Sequence, residues 1–110
     1  MQGKVKVLLL LILVVSLMTA GCAKSNQKEF LSLATGGTSG TYYPVGGAMA
    51  KIISSKVENT SASAQSTGAS VTNVRLISKG EVELAIMQND IASYAYNGEK
   101  QFEGKAVKNM

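Results

Sequence analysis

Histidine is absent from this 110-residue chain, and cysteine and proline occur once each. Without histidine and with one thiol, a His/Cys zinc site and a Ser-His or Cys-His nucleophile pair are excluded. A lone cysteine also forbids an internal disulfide framework. Charged residues make up only 16%, and the 11 glycines show no three-residue period, which removes coiled coil and collagen. Basic residues carry no stripe. After Lys4 and Lys6, nine bases from Lys24 to Lys108 face seven acids, a balance of +2, and they are scattered without interleaved aromatics. That pattern describes a solvated surface and gives no nucleic-acid footprint.

What is present begins with one long apolar run. Residues 7–18 follow Lys4 and Lys6 and lead into Thr19-Ala20-Gly21-Cys22, the layout of an export signal. Ala20, Gly21 and Cys22 resemble the end of a bacterial lipoprotein signal, in which the cysteine becomes the acylated N-terminus; Thr19 stands where an aliphatic residue is usual. The expected organisation is a signal peptide over 1–21, a lipid-anchored tether over 22–28, and a folded part over 29–110. An ordinary signal peptide cleaved elsewhere and a retained anchor are the alternatives. The uncharged stretch from Val7 to Cys22 falls short of the roughly 20 residues that a spanning helix prefers.

Beyond the tether, Phe30, Leu31 and Leu33 predict a strand over 30–34 that stops at a glycine-rich loop. A helix follows with Pro44 in its first turn, and Val45, Ala48, Met49, Ile52 and Ile53 predict its buried face by their spacing. Residues 58–65 are small and polar and fit a strand or a plain loop; we read a strand. Ser70 is placed to cap a second helix running to Lys79, with Val71, Val74 and Ile77 pointing one way and Gly80 as terminator. Residues 82–87 predict a third strand. Asn89 or Asp90 then starts a third helix with Ile91, Tyr94 and Ala95 on one face, ending before Gly98. Strand and helix alternate three times, which favours an α/β architecture with parallel strands and right-handed crossovers. After Gly98, Phe102 and Val107 are the large apolar residues before the terminal Met110, and nothing in that tail is expected to close a domain; the chain reads as cut.

Three loops then occupy the same topological position, after a strand and before a helix, where open α/β sheets bind ligands. The first, Thr35-Gly-Gly-Thr-Ser-Gly-Thr-Tyr-Tyr-Pro44, combines glycines that admit a ligand to the backbone with the positive end of a helix. It lacks the lysine of a phosphate loop and the spacing of a dinucleotide fingerprint, so a carboxylate suits it better than a phosphate. Turn formation alone explains Gly36, Gly37 and Gly40 equally well. The second, Gln65-Ser-Thr-Gly-Ala-Ser-Val71, again places hydroxyls at a helix start. The third, Met87-Gln-Asn-Asp90, offers Gln88 as donor and acceptor and Asp90 as acceptor for a ligand ammonium; helix capping is the other reading of Asp90 and surface polarity that of Gln88. Tyr42 is the favoured pocket wall, with stapling of the helix as its alternative. Of Tyr94 and Tyr96, on opposite sides of one helix, at most one belongs to a core.

Residues 34–48, Ser66-Thr-Gly-Ala-Ser-Val-Thr-Asn73, Gly80-Glu-Val-Glu-Leu-Ala85, Gln88-Asn-Asp90 and Tyr94-Ala-Tyr-Asn-Gly98 together resemble the start of a TAXI-family solute-binding protein, the extracytoplasmic receptor of one branch of TRAP transporters. The likeness runs from about Leu31 to Lys105. One departure is that Ala69 and Thr72 stand where the family usually has glycine and glutamate. The resemblance implies a periplasmic-binding-protein-like (type II) α/β fold, of which this chain is the N-terminal part of one lobe. It further implies a receptor that binds a small organic anion such as glutamate or a dicarboxylate and delivers it to the TRAP permease membrane subunits, without a cofactor or metal. Carried onto this sequence, the ligand-side residues are Thr38, Ser39, Gly40, Thr41 and Tyr42, then Thr67, Gly68, Ala69 and Ser70, then Gln88 and Asp90. With Cys22 acylated, the expected place is the periplasm or the outer face of the cytoplasmic membrane.

Two other classes stay open. One is a surface lipoprotein or antigen without transport activity. The other is an enzyme built on a binding-protein-like fold, against which stand the missing histidine and the lack of a close acid–base pair in the loops, since Glu81 and Glu83 flank a strand start.

Overall fold

The computed structural model describes residues 27–110. The expected signal peptide, Cys22 and most of the tether lie outside them. The order is β1 (Glu29–Ala34), α1 (Tyr42–Lys56), β2 (Thr60–Gln65), α2 (Ser70–Ser78), β3 (Leu84–Ala85), α3 (Asn89–Asn97) and a 3-10 turn (Lys100–Phe102). All three strands are parallel, in the spatial order β2-β1-β3 with β1 central. The α/β architecture expected from the alternation is the one observed.

β1 and β2 pair along their whole length, Glu29 opposite Thr60 through Ala34 opposite Gln65. This makes the small polar segment a true strand. β2 is an edge, and α1 covers part of it. Ser54 accepts a hydrogen bond from the Ala62 amide at 2.8 Å, and its hydroxyl lies 3.3 Å from the Ala62 carbonyl. One serine thus occupies both backbone groups of an edge residue.

The helix packs differently from its apolar spacing. The predicted face of Val45, Ala48, Met49, Ile52 and Ile53 is largely exposed, with Ile52 at 61%, and the buried residues of α1 are Gly46 and Ala50. The reason is steric. A Cβ on Gly46 would overlap the Thr35 Cγ2 and stand 3.2 Å from the Leu33 Cδ2, so the helix comes down on β1 through its smallest residues. Ile53, half-buried, is the one large member of the expected face that turns inward.

The third strand is shorter than its sequence suggested, two residues in place of 82–87. Val82 is nonetheless buried, and the Glu83 amide donates to Ser32 O at 3.2 Å. The Ser32 amide donates to the Glu83 carboxylate at 2.6 Å. A side chain there replaces the next backbone rung, which ends the ladder early.

Helices α2 and α3 form the other packing unit. Val74, Ala95 and Phe102 are its buried centre, with Val71, Met87, Ile91, Tyr94 and Val107 against it. Of the expected faces, Val71 and Val74 of α2 and Ile91, Tyr94 and Ala95 of α3 are in this unit, Ile77 is half-buried outside it, and Tyr96 stays 52% exposed. Gly80 and Gly98 end their helices with φ of +69° and +70°. The tail packs against this unit. Phe102 closes the α2–α3 core, the Val107 amide donates to Ala95 O at 2.8 Å, and Asn109 donates to Ser78 O at 2.7 Å.

Candidate functional site

The three loops converge because the three strands are parallel and adjacent, so all of their carboxyl ends lie along one edge of the sheet. Loop 1 runs from Thr35 to Thr41, loop 2 from Ser66 to Ala69, and loop 3 from Ile86 to Gln88.

Thr35 and Asn73, both 0% exposed, form the floor of this edge. The Thr35 amide and hydroxyl both donate to Gln65 O, at 3.0 and 2.6 Å. Asn73 reaches all three loops. Its amide nitrogen donates to Thr35 O at 2.6 Å and to Ile86 O at 2.7 Å, and its carbonyl oxygen accepts from the Thr67 hydroxyl at 2.6 Å. The Thr67 amide also donates to Gly36 O at 3.2 Å. A buried amide with both donors and its carbonyl oxygen engaged fixes its surroundings more firmly than an apolar side chain of equal size, because any displacement strands a polar group.

Ser70 joins loops 2 and 3. It was expected to cap α2, but it is the first residue of the helix, and its hydroxyl accepts from the Gln88 amide at 3.0 Å. The residue before the helix is Ala69, at φ +63° and ψ −151°, a region that glycine tolerates and side chains resist. Its amide donates to the Thr67 hydroxyl oxygen at 3.1 Å and its carbonyl accepts from the Asn73 amide at 2.9 Å. No side chain caps α2; the Thr67 hydroxyl instead holds the amide of Ala69, the residue before the helix.

Above this floor lies an open hollow of about 230 Å³, lined by Gly36, Gly37, Gly40, Thr41, Tyr42 and Ala69. Four of the eleven expected ligand-side residues, Gly40, Thr41, Tyr42 and Ala69, are in its wall. Loop 1 bends back on itself through the Gly40 amide, which donates to Gly37 O at 2.9 Å, and this turn carries Thr38 and Ser39 into solvent. Loop 1, loop 2 and the start of α1 meet at Gly36, where a Cβ would make ordinary contact with the Tyr42 Cβ at 3.4 Å and the Ala69 Cβ at 3.6 Å. The hollow also opens beside the first turn of α1, where unpaired amides and the helix dipole favour an anion.

The remaining expected residues are distributed around this centre. Thr67 and Ser70 are engaged with the protein, as described. Gly68 is exposed, with the Thr72 hydroxyl 2.8 Å from where its Cβ would be. Gln88 is exposed beside the start of α3. Asp90 is exposed and its carboxylate accepts from the Ile91 amide at 2.8 Å, so it serves the helix start whatever else it meets. Asn73 and Thr35 are the residues that sequence reasoning did not single out. A polar residue inside the apolar spacing of Val71, Val74 and Ile77 was the signal available for Asn73.

A larger hollow of about 590 Å³ lies at the opposite end of the strands, lined by Lys28 and residues 54–60. It adjoins the carboxyl end of α1 and has no converging loops. The geometry of the carboxyl edge is the one that matches how open α/β sheets hold small molecules.

Residues 33–110, which include all three loops and the whole α2–α3 core, match the model of the NMT1-like family. The chain belongs to the NMT1-like family, a periplasmic binding-protein-like family, and its general role is the binding of a small-molecule solute.

Proposed function

We propose that this protein is an extracytoplasmic solute receptor of the TAXI branch of TRAP transporters, binding a small organic anion such as glutamate or a dicarboxylate and delivering it to the membrane permease. The observation that carries this reading is the hollow lined by Gly36, Gly37, Gly40 and Thr41 of loop 1, Tyr42 of α1 and Ala69 of loop 2, beside the first turn of α1. A carboxylate seated there meets backbone amides and the positive helix end without needing a lysine or arginine. Gln88 and Asp90, at the start of α3 on the same edge, would address the far end of the ligand, Asp90 by accepting from an ammonium group. The role is non-catalytic: binding, orientation and release. Cys22, acylated at the membrane face, would hold the receptor near its permease, since each buried methylene of an acyl chain contributes about 0.8 kcal/mol.

Titration calorimetry with L-glutamate, 2-oxoglutarate and succinate tests the ligand class. Saturable heat with at least one of the three is expected. Silence across the panel, from protein whose folding is verified by circular dichroism, overturns the carboxylate reading.

A further inference from the structure

We propose that Asn73 is the positioning residue of this site, acting through Thr67 to hold Ala69 in the conformation that the ligand-side loops require; the proposal rests on the solute-binding reading above. Three observations lead to it. Asn73 is wholly buried, and its side chain takes its partners from three separate loops, Thr35 O, Ile86 O and the Thr67 hydroxyl. An amide that merely satisfied itself in a core needs no such distribution.

The second observation concerns a single proton. The Thr67 hydroxyl lies 2.6 Å from the Asn73 carbonyl oxygen and 3.1 Å from Thr35 O, and it has one hydrogen to give. The shorter contact takes it. With the proton committed to Asn73, the lone pairs of Thr67 are aimed at the Ala69 amide, 3.1 Å away.

The third is the backbone of Ala69 itself, at φ +63° and ψ −151°. A residue with a Cβ persists there only where its surroundings over-determine it. They do so from both sides: Thr67 holds the Ala69 amide, and the Asn73 backbone amide holds the Ala69 carbonyl at 2.9 Å. Ala69 lines the hollow, and Ser70 after it holds the Gln88 amide of loop 3. Release of Ala69 would move its Cβ out of the wall and shift Ser70, so both ends of the site would lose alignment together.

The test uses Thr67→Val, Thr67→Ser and Asn73→Ser, with Ala69→Gly alone and combined with Thr67→Val and with Asn73→Ser. Amide hydrogen exchange by NMR on ligand-free protein is the first readout. Thr67→Val is expected to speed exchange at both Ala69 and Gln88 by about tenfold or more, the scale of one lost buried hydrogen bond, while Ile77 in α2 is unchanged; Thr67→Ser restores both. The second readout is calorimetric affinity for L-glutamate and 2-oxoglutarate. Loss is expected in Thr67→Val and Asn73→Ser, and Ala69→Gly is expected to recover most of it, because glycine adopts that backbone without strain.

Unchanged protection at Ala69 and Gln88 in folded Thr67→Val overturns the proposal. So does an Ala69→Gly effect of the same size in every background, which would mean the sites are independent. Should Asn73→Ser fail to fold, the Thr67 pair decides. Should wild type bind neither carboxylate, the ligand class is wrong, and the exchange data still decide whether Asn73 and Thr67 position the loops.

Discussion

Gly46 of α1 rests on Thr35 of loop 1 so closely that a Cβ at position 46 would overlap the threonine methyl group. The threonine cannot yield, because it is fully buried and its hydroxyl is bonded to Gln65 O at 2.6 Å. This contact sets the height of α1 above the sheet and hence the position of its first turn beside the hollow.

Adjacent glycines should therefore respond in opposite directions. Gly46→Ala forces either the helix or Thr35 to move, and overpacking of this kind costs about 1–3 kcal/mol, more than the roughly 1 kcal/mol that alanine gains over glycine in a helix. Gly47 has open space where its Cβ would be. Gly47→Ala should stabilise by up to about 1 kcal/mol. Urea denaturation of the two variants against wild type checks the contrast, and equal shifts would mean that the close approach is not there in solution.

Phe102 makes the tail part of the core. It is 5% exposed and packs with Val74 and Ala95. Phe102→Ala should cost about 3–5 kcal/mol, a large share of the 5–15 kcal/mol that a domain has. An unchanged denaturation midpoint would show the tail to be dispensable.

Asp90 separates two kinds of ligand. Its carboxylate accepts from the Ile91 amide, a duty that asparagine can also perform. Asp90→Asn should therefore leave stability within about 0.5 kcal/mol of wild type. Under the proposed function it should weaken L-glutamate, which carries an ammonium group, and leave 2-oxoglutarate, which does not, unchanged or tighter. Calorimetry with both ligands reads the difference, and equal weakening of the two would remove the ammonium role.

Cys22 has a direct test in cells. A radiolabelled fatty acid is expected to attach to wild-type protein and not to Cys22→Ser. Absence of label on wild type, or equal label on both, would overturn acylation at this residue.

Much of the fold was legible from residue spacing. Gly80 and Gly98 end helices because only a residue without Cβ takes φ near +70° freely, and that preference acts locally. Val71 and Val74 lie on one face, as do Ile91, Tyr94 and Ala95, because the partners of α2 and α3 are apolar and close in sequence. The face of α1 was misread because its spacing gives only the angular position of large side chains. Whether large or small residues face a sheet depends on what stands beneath them, and here that is Thr35 and Leu33.

The site divides the same way. From the sequence alone came three loops, two rich in glycine and hydroxyl residues and the third carrying Gln88 and Asp90, each after a strand and before a helix, and the reason is local: such residues break strands and start helices. The tertiary structure decided which hydroxyls face the hollow and which are spent on the protein. Thr67 and Ser70 look like Thr38 and Ser39 in the sequence, yet their hydroxyls are bonded to Asn73 and Gln88 while the other two are carried into solvent. A hydroxyl's partner is set by what the chain brings within 3 Å of it, and the bonds that join these loops span 6 to 38 residues of sequence.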